Sequence, residues 1–237
     1  MRNSNLKISG YLLIALVMVV SLAFSQSAEA LQIRISDGIN ADLNFNDTDG
    51  DKLLATGIVS IGNYKLVSGL GKATPWIGTP TQPAIDLSGD AISYGSGGIL
   101  KIQLTETGLT SISTIGGFLS SIGGTTDGSV NYDTYFDITN AAFGTGTLIS
   151  HLGPLPTAGG PGFSGNGNSN TFPTGSPFSL TLAVTINHSA SGLVGKETSF
   201  NGSLKTTPTP EPGTILLLGL GLLGLGIISK RKMEIEG

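Results

Sequence analysis

The chain contains no cysteine. That excludes disulfide staples, thiolate nucleophiles and cysteine-ligated zinc, so stability rests on the hydrophobic core, alone or with a bound metal. Histidine is almost as scarce. His151 and His188 are the only two, with no H-E-x-x-H spacing and no third ligand close in sequence to make a zinc site. His188 ends an alternating stretch and reads as a solvent-facing strand residue; His151 opens a Gly/Pro-rich one. Charge is thin as well, at 12% of residues, which leaves solubility to hydroxyls and backbone. Between Leu31 and Thr209 seven basic residues stand against twelve acidic ones, a balance of −5, with no basic stripe of the kind a nucleic-acid partner requires. Within the same span no serine sits in G-x-S-x-G and none begins S-x-x-K, so the common serine-nucleophile motifs are missing. A carboxylate pair for glycoside hydrolysis is not excluded by letters alone, because only the separation in the fold tests it.

What the chain does have is alternation with period two. "LQIRIS" sets Leu31, Ile33 and Ile35 against Gln32, Arg34 and Ser36; "GILKIQLTET" and "FSLTLAVTINHS" repeat the pattern. Each predicts a strand with one face buried. Shorter candidates lie at 57–61, 64–67, 84–87, 130–138 and 199–204, with Gly and Pro between them leaving no room for a helix of three turns in the body. The fold class this implies is all-β: a single antiparallel β-sandwich, jelly-roll or immunoglobulin-like, over residues 31–205. Two stretches fall outside it. Residues 153–177 read as a long Gly/Pro/Asn loop and residues 206–212, with three prolines, as an extended spacer.

One constellation carries candidate chemistry. In "SDGINADLNFNDTDGDKL" Asp47, Asp49 and Asp51 alternate, with Asp37, Asp42, Asn44 and Asn46 nearby. Hard oxygen donors in a flexible loop suit calcium. The stretch is not an EF-hand, since Lys52 and Ile58 stand where glycine and glutamate belong, and a solvated acidic turn accounts for the same letters. Calcium is thus the one cofactor with a place in the sequence; otherwise none is expected. Trp76, the sole tryptophan, sits in "TPWIGTP" and is read either as a stacking platform for a sugar ring or as a cap on the core.

The two ends of the chain speak of location. Arg2 and Lys7 precede an apolar run from Ile8 to Phe24, and Ala28 and Ala30 occupy the small-residue positions of an A-x-A cleavage site. Residues 1–30 therefore read as a secretory signal peptide with the mature body starting at Leu31. At the other end, the run from Ile215 to Ile228 is free of charge. As a helix it is about 21 Å long, short of a hydrocarbon core of about 30 Å, so residues 213–232 make a marginal anchor, with 233–237 as a cytoplasmic tail. Lys230, Arg231 and Lys232 act as a stop-transfer cluster that keeps the body outside. Gly219, Gly221 and Gly224 fit the G-x-G-x-x-G string but lack the strand before and the acidic residue after that dinucleotide binding needs.

Pro210-Glu211-Pro212, then a Gly-containing apolar helix, then Lys230-Arg231-Lys232, resembles the PEP-CTERM sorting signal of Gram-negative bacteria, departing from it only in the trailing "MEIEG". The resemblance implies recognition by exosortase, a membrane transpeptidase-like protease, cleavage near Pro210 to Pro212, and delivery to the cell surface or an exopolysaccharide or biofilm matrix. Removal of a hydrophobic tail after sorting has parallels in other C-terminal signals. The body pieces "SDGIN", "VSGLGKATPWIGTP", "AIDLSG" and "GGILKIQLTETG" also resemble a recurring PEP-CTERM ectodomain type, with which no activity travels. Partners expected on this reading are exosortase, the membrane before processing and extracellular polysaccharide. The function expected is that of a non-enzymatic surface or matrix protein, with a calcium-assisted carbohydrate-binding module as the alternative and a polysaccharide hydrolase as the second.

Overall fold

The computed structural model describes residues 30–110, 115–156, 160–170, 177–189, 192–208 and 218–222. The described residues form thirteen strands: β1 (Leu31–Ser36), β2 (Leu43–Asn46), β3 (Leu53–Ala55), β4 (Val59–Ile61), β5 (Tyr64–Thr79), β6 (Gln82–Gly95), β7 (Gly98–Leu109), β8 (Ile115–Thr126), β9 (Ser129–Asp137), β10 (Thr147–Leu155), β11 (Gly162–Ser169), β12 (Phe178–His188) and β13 (Gly192–Pro208). The alternating stretches fold as their periodicity dictates. In β1, Leu31, Ile33 and Ile35 are fully buried while their neighbours are half-exposed. β7 and β12 pair at the centre of their sheet and are buried on both faces along much of their length, so that even Thr105 and Thr181 are fully buried, their hydroxyls 3.1 Å apart.

Two antiparallel sheets pack face to face. One has the order β10-β9-β12-β7-β1-β2, the other β11-β8-β13-β6-β5-β3 with β4 paired to β5. From β6 onward, each of the steps β6 to β7, β8 to β9, β10 to β11 and β12 to β13 crosses from one sheet to the other. The resulting quartets, 7-12-9-10 and 6-13-8-11, are the eight strands and two Greek keys of a jelly roll. This decides between the two sandwich types left open by the sequence. β1 and β2 extend one sheet at its edge; β5, β3 and β4 extend the other. Between them lies a single core including Ile33, Leu87, Leu104, Tyr132, Phe178 and Val184.

The stretch 153–177 is not a continuous loop. β10 runs on to Leu155, and Gly162–Ser169 forms the edge strand β11, paired to β8 over eight positions. An edge strand needs one neighbour's backbone rather than an apolar face, and Phe163 alone supplies the inward anchor. The spacer also begins later than the prolines suggest: β13 includes Thr206, which is buried and donates its hydroxyl to the Pro83 carbonyl at 3.0 Å. Ala28 and the rest of 1–29, and Pro210, Glu211, Pro212, Lys230, Arg231 and Lys232, lie outside the described residues. Among the described residues no helix is long and apolar enough to cross a membrane; 218–222 are helical.

Candidate functional site

Strand register gathers several polar features at one end of the sandwich. Leu31 pairs with Glu106, the Asp47 N–H donates to the Leu31 carbonyl at 2.9 Å, and the Ala73 N–H donates to the Lys52 carbonyl at 3.0 Å. This end therefore brings together the acidic loop, the β5–β6 hairpin bearing Trp76, and the last residues of β13. Inside it, the Lys52 ammonium lies 3.5 Å from a Glu106 carboxylate oxygen, with the two side chains 7% and 1% exposed. Glu106 also faces a cavity of about 280 Å³ walled by Thr74, Pro75, Pro80, Pro83 and Leu109.

The acidic loop brings the three aspartates predicted for calcium together: one carboxylate oxygen from each of Asp47, Asp49 and Asp51 lies within 4.8 Å of the others. The turn is held by its own carboxylates. Asp47 accepts from the N–H of Gly50 and of Lys52, both at 2.9 Å, and Asp51 from that of Leu53 at 2.8 Å. Lys52, at the position where an EF-hand needs glycine, adopts the left-handed backbone with φ 64°. Burial alone would raise the Asp47 carboxyl, but the Lys52 and Gly50 amides and the contact with Asp49 bring it below the usual range. Asp49 is pushed up, first by its side-chain hydrogen bond with Asp47 and further by the charge of Asp51. A divalent cation held there would relieve that crowding, and each carboxylate retains lone pairs beyond those its N–H partners use. The donor set fits calcium with water completing its shell.

Of the outlying candidates, Asp37 is absorbed by its own turn, accepting from the amides of Ile39 and Asn40, and Asp42 lies 4.0 Å from Arg34. Trp76 is not a core cap. It is 57% exposed and its indole Nε1–H donates to the Asp51 carbonyl at 2.5 Å, which joins the aromatic to the acidic loop.

The opposite end carries His188, and here the sequence reading is corrected. The side chain is 1% exposed, because β12 sits between two neighbours and its last residue turns under the other sheet. Nδ1 lies 2.7 Å from the Ser93 hydroxyl and Nε2 2.8 Å from that of Thr198, which in turn lies 2.6 Å from the Thr126 hydroxyl. The Tyr64 hydroxyl accepts from the His188 N–H and donates to the Gly98 carbonyl. Burial, then the charge of Lys196, lowers the His188 pKa below 6.5, against an opposing pull from Asp127. His151 stays exposed, 2.5 Å from Asp133. The Lys52–Glu106 pair escaped the sequence reading because its partners lie far apart in the chain; an isolated glutamate after the apolar run of β7 is its sole local trace.

Residues 208–232 match the model of the PEP-CTERM protein-sorting motif. No curated protein matches the sequence. Among solved structures, the chain is similar to TmCBM61 in complex with β-1,4-galactotriose, at 8% identity over 59% of this chain and 88% of that one, TM-score 0.29. It is also similar to the K1 cleaved adhesin domain of Lys-gingipain (Kgp) from Porphyromonas gingivalis W83, at 14% identity over 67% of this chain and 99% of that one, TM-score 0.29. Both likenesses are too loose to bear on function. The motif begins at the residue with which β13 ends; the chain carries a PEP-CTERM protein-sorting motif, which implies export and processing by exosortase.

Proposed function

We propose that this chain is a non-enzymatic surface or matrix protein whose jelly-roll body is released from a temporary anchor and held with extracellular polysaccharide. The observation that carries the reading is the sorting motif at 208–232 directly following β13. Only Thr209 separates the last strand residue from Pro210, so cleavage near Pro210 to Pro212 frees the body almost flush with its fold. The test is the intact mass of the protein recovered from envelope and medium. A species beginning at Leu31 and ending near Pro210 to Pro212 is expected; one that still carries the apolar run and Lys230 to Lys232 overturns the reading.

A second reading is favoured by one contact. The Trp76–Asp51 hydrogen bond places an exposed aromatic beside three clustered carboxylates, an arrangement suited to calcium-assisted carbohydrate binding. Glycan retention that disappears with chelator and with Asp49→Ala or Trp76→Ala supports this reading. Retention indifferent to all three removes it.

A further inference from the structure

The outward face of the β11-β8-β13-β6-β5-β3 sheet is recessed where four of its strands run side by side. Two hollows, of about 260 Å³ and 360 Å³, adjoin there and share Asp90 and Ser199. The recess is made by glycine. At Gly123 an added Cβ meets nothing nearer than the Phe163 carbonyl at 3.5 Å, so the position is open outward. At neighbouring Gly124 a Cβ would strike the Ser199 carbonyl at 2.0 Å; that glycine lets β8 lie close to β13. The groove passes from β5 across β6 and β13 to β8, three interstrand steps or about 14 Å.

Its lining is specific in kind. Ser68, Ser88, Ser199 and Asn201 present short hydroxyl and amide groups, and Asp90 and Glu197 supply carboxylates. The Asp90 carboxylate accepts from Ser68 at 2.6 Å, and hydrogen bonds from Ser199 and Ser68 keep it below the usual carboxylate range. No lysine or arginine lines either hollow. A peptide would need an edge backbone to pair with or apolar pockets for side chains. Here the backbone is already paired within the sheet, and the lining sets hydroxyls and acceptors beside the apolar Val67 and Ile92, a mixture suited to the hydroxyls and C–H faces of a sugar. A polyanion is repelled by the two carboxylates.

We infer that this groove binds a neutral polysaccharide chain laid across the strands, with Asp90, Ser199 and Asn201 hydrogen-bonding its hydroxyls over the floor at Gly123. The inference rests on the polysaccharide association proposed above and not on the calcium loop. Short polar side chains on paired strands are already ordered, so hydroxyl recognition here costs little side-chain entropy.

The test is affinity electrophoresis of the full chain in mild detergent, through gels containing a neutral β-glucan, a galactan or a mannan, with polygalacturonate as the acidic comparison. Retention by at least one neutral polymer and none by polygalacturonate is expected. Gly123→Val puts a β-branched side chain into the floor of the groove on extended backbone, and Asp90→Asn removes a charged acceptor while keeping the shape. Each should weaken retention about tenfold, with thermal melting lowered only slightly for Asp90→Asn, whose hydrogen bonds from Ser68 and Ser199 lie at the surface and survive as neutral ones. The inference is overturned if no neutral polymer retains the wild-type chain, or if both variants are retained as the wild type is. The intact-mass measurement reads the sorting separately, so a correctly processed protein that ignores all three polymers sinks the groove and leaves the surface-protein reading standing.

Discussion

The two ends of the sandwich close the same core by different means. At the end where β1 begins and β13 finishes, a lysine and a glutamate are taken out of water together. At the other, a neutral histidine is threaded between the hydroxyls of Ser93 and Thr198. An ion pair in a poorly hydrated site recovers its desolvation cost only while both charges are present. The histidine network carries no charge to neutralise and only has to satisfy donors and acceptors. The charged end also holds the acidic loop, Trp76 and the departure of the chain toward its sorting signal, so sensitivity to ions and to processing is concentrated there, and sensitivity to acid at the other.

The sharpest way to break this comparison is to remove one charge. Glu106→Ala removes the carboxylate 3.5 Å from the buried Lys52 ammonium, and a loss of about 3–5 kcal/mol is expected in denaturant unfolding. Replacing both, as Lys52→Met with Glu106→Leu, should return most of it. Failure of the pair to recover would show that the end needs charge for more than mutual compensation. At the neutral end, His188→Ala leaves two buried hydroxyls without their ring partner, for which about 1–3 kcal/mol is expected. A loss as large as that of Glu106→Ala would erase the distinction.

Acid near neutrality probes the histidine end. The folded-state pKa of His188 lies below 6.5, so above that pH the ring is neutral in both states and contributes nothing to the pH dependence. As pH falls through about 6.5 the unfolded chain takes up a proton that the folded one refuses, and stability declines until the lowered folded pKa is reached. The loss is about 1.4 kcal/mol for each unit by which burial, with Lys196, has lowered the pKa. Unfolding free energies measured from pH 8 to pH 5 should slope downward, and His188→Gln should flatten that slope; an unchanged slope would assign the acid sensitivity elsewhere.

Which parts of this were legible in the sequence follows from how local each feature is. β1, β7 and β12 announce themselves because one face of each is apolar at every second residue, and burial of that face fixes the strand. β11, with "GFSGNGNS", does not: its pairing with β8 uses backbone groups that every residue has, and its Gly and Asn letters look the same in a loop. The aspartate cluster was visible because its members are two residues apart. That Trp76 would reach the Asp51 carbonyl was not, since 25 residues separate them and only the β3–β5 pairing sets the distance. The burial of His188 is hidden in the sequence for a related reason. Alternation tells which residues share a face of a strand, but not that a second sheet closes over the strand's end.

The smallest effect expected lies at the charged end, and it separates stability from binding. Trp76→Phe keeps a ring and removes the donor to Asp51. The indole is more than half exposed, so water can take over the freed carbonyl and a cost of about 0.5–1 kcal/mol is expected. If the acidic loop holds calcium, wild type should melt higher with calcium than with chelator, because a ligand bound only by the folded state stabilises it by mass action. Asp49→Asn should abolish the increment, whereas Trp76→Phe should leave it, since the indole reaches the loop through a backbone carbonyl and supplies none of the clustered carboxylates. Equal melting with and without calcium would reduce the loop to a solvated turn. An increment lost in Trp76→Phe as well would mean that this single hydrogen bond fixes the carboxylates in place, and that the aromatic and acidic halves of this end work as one unit.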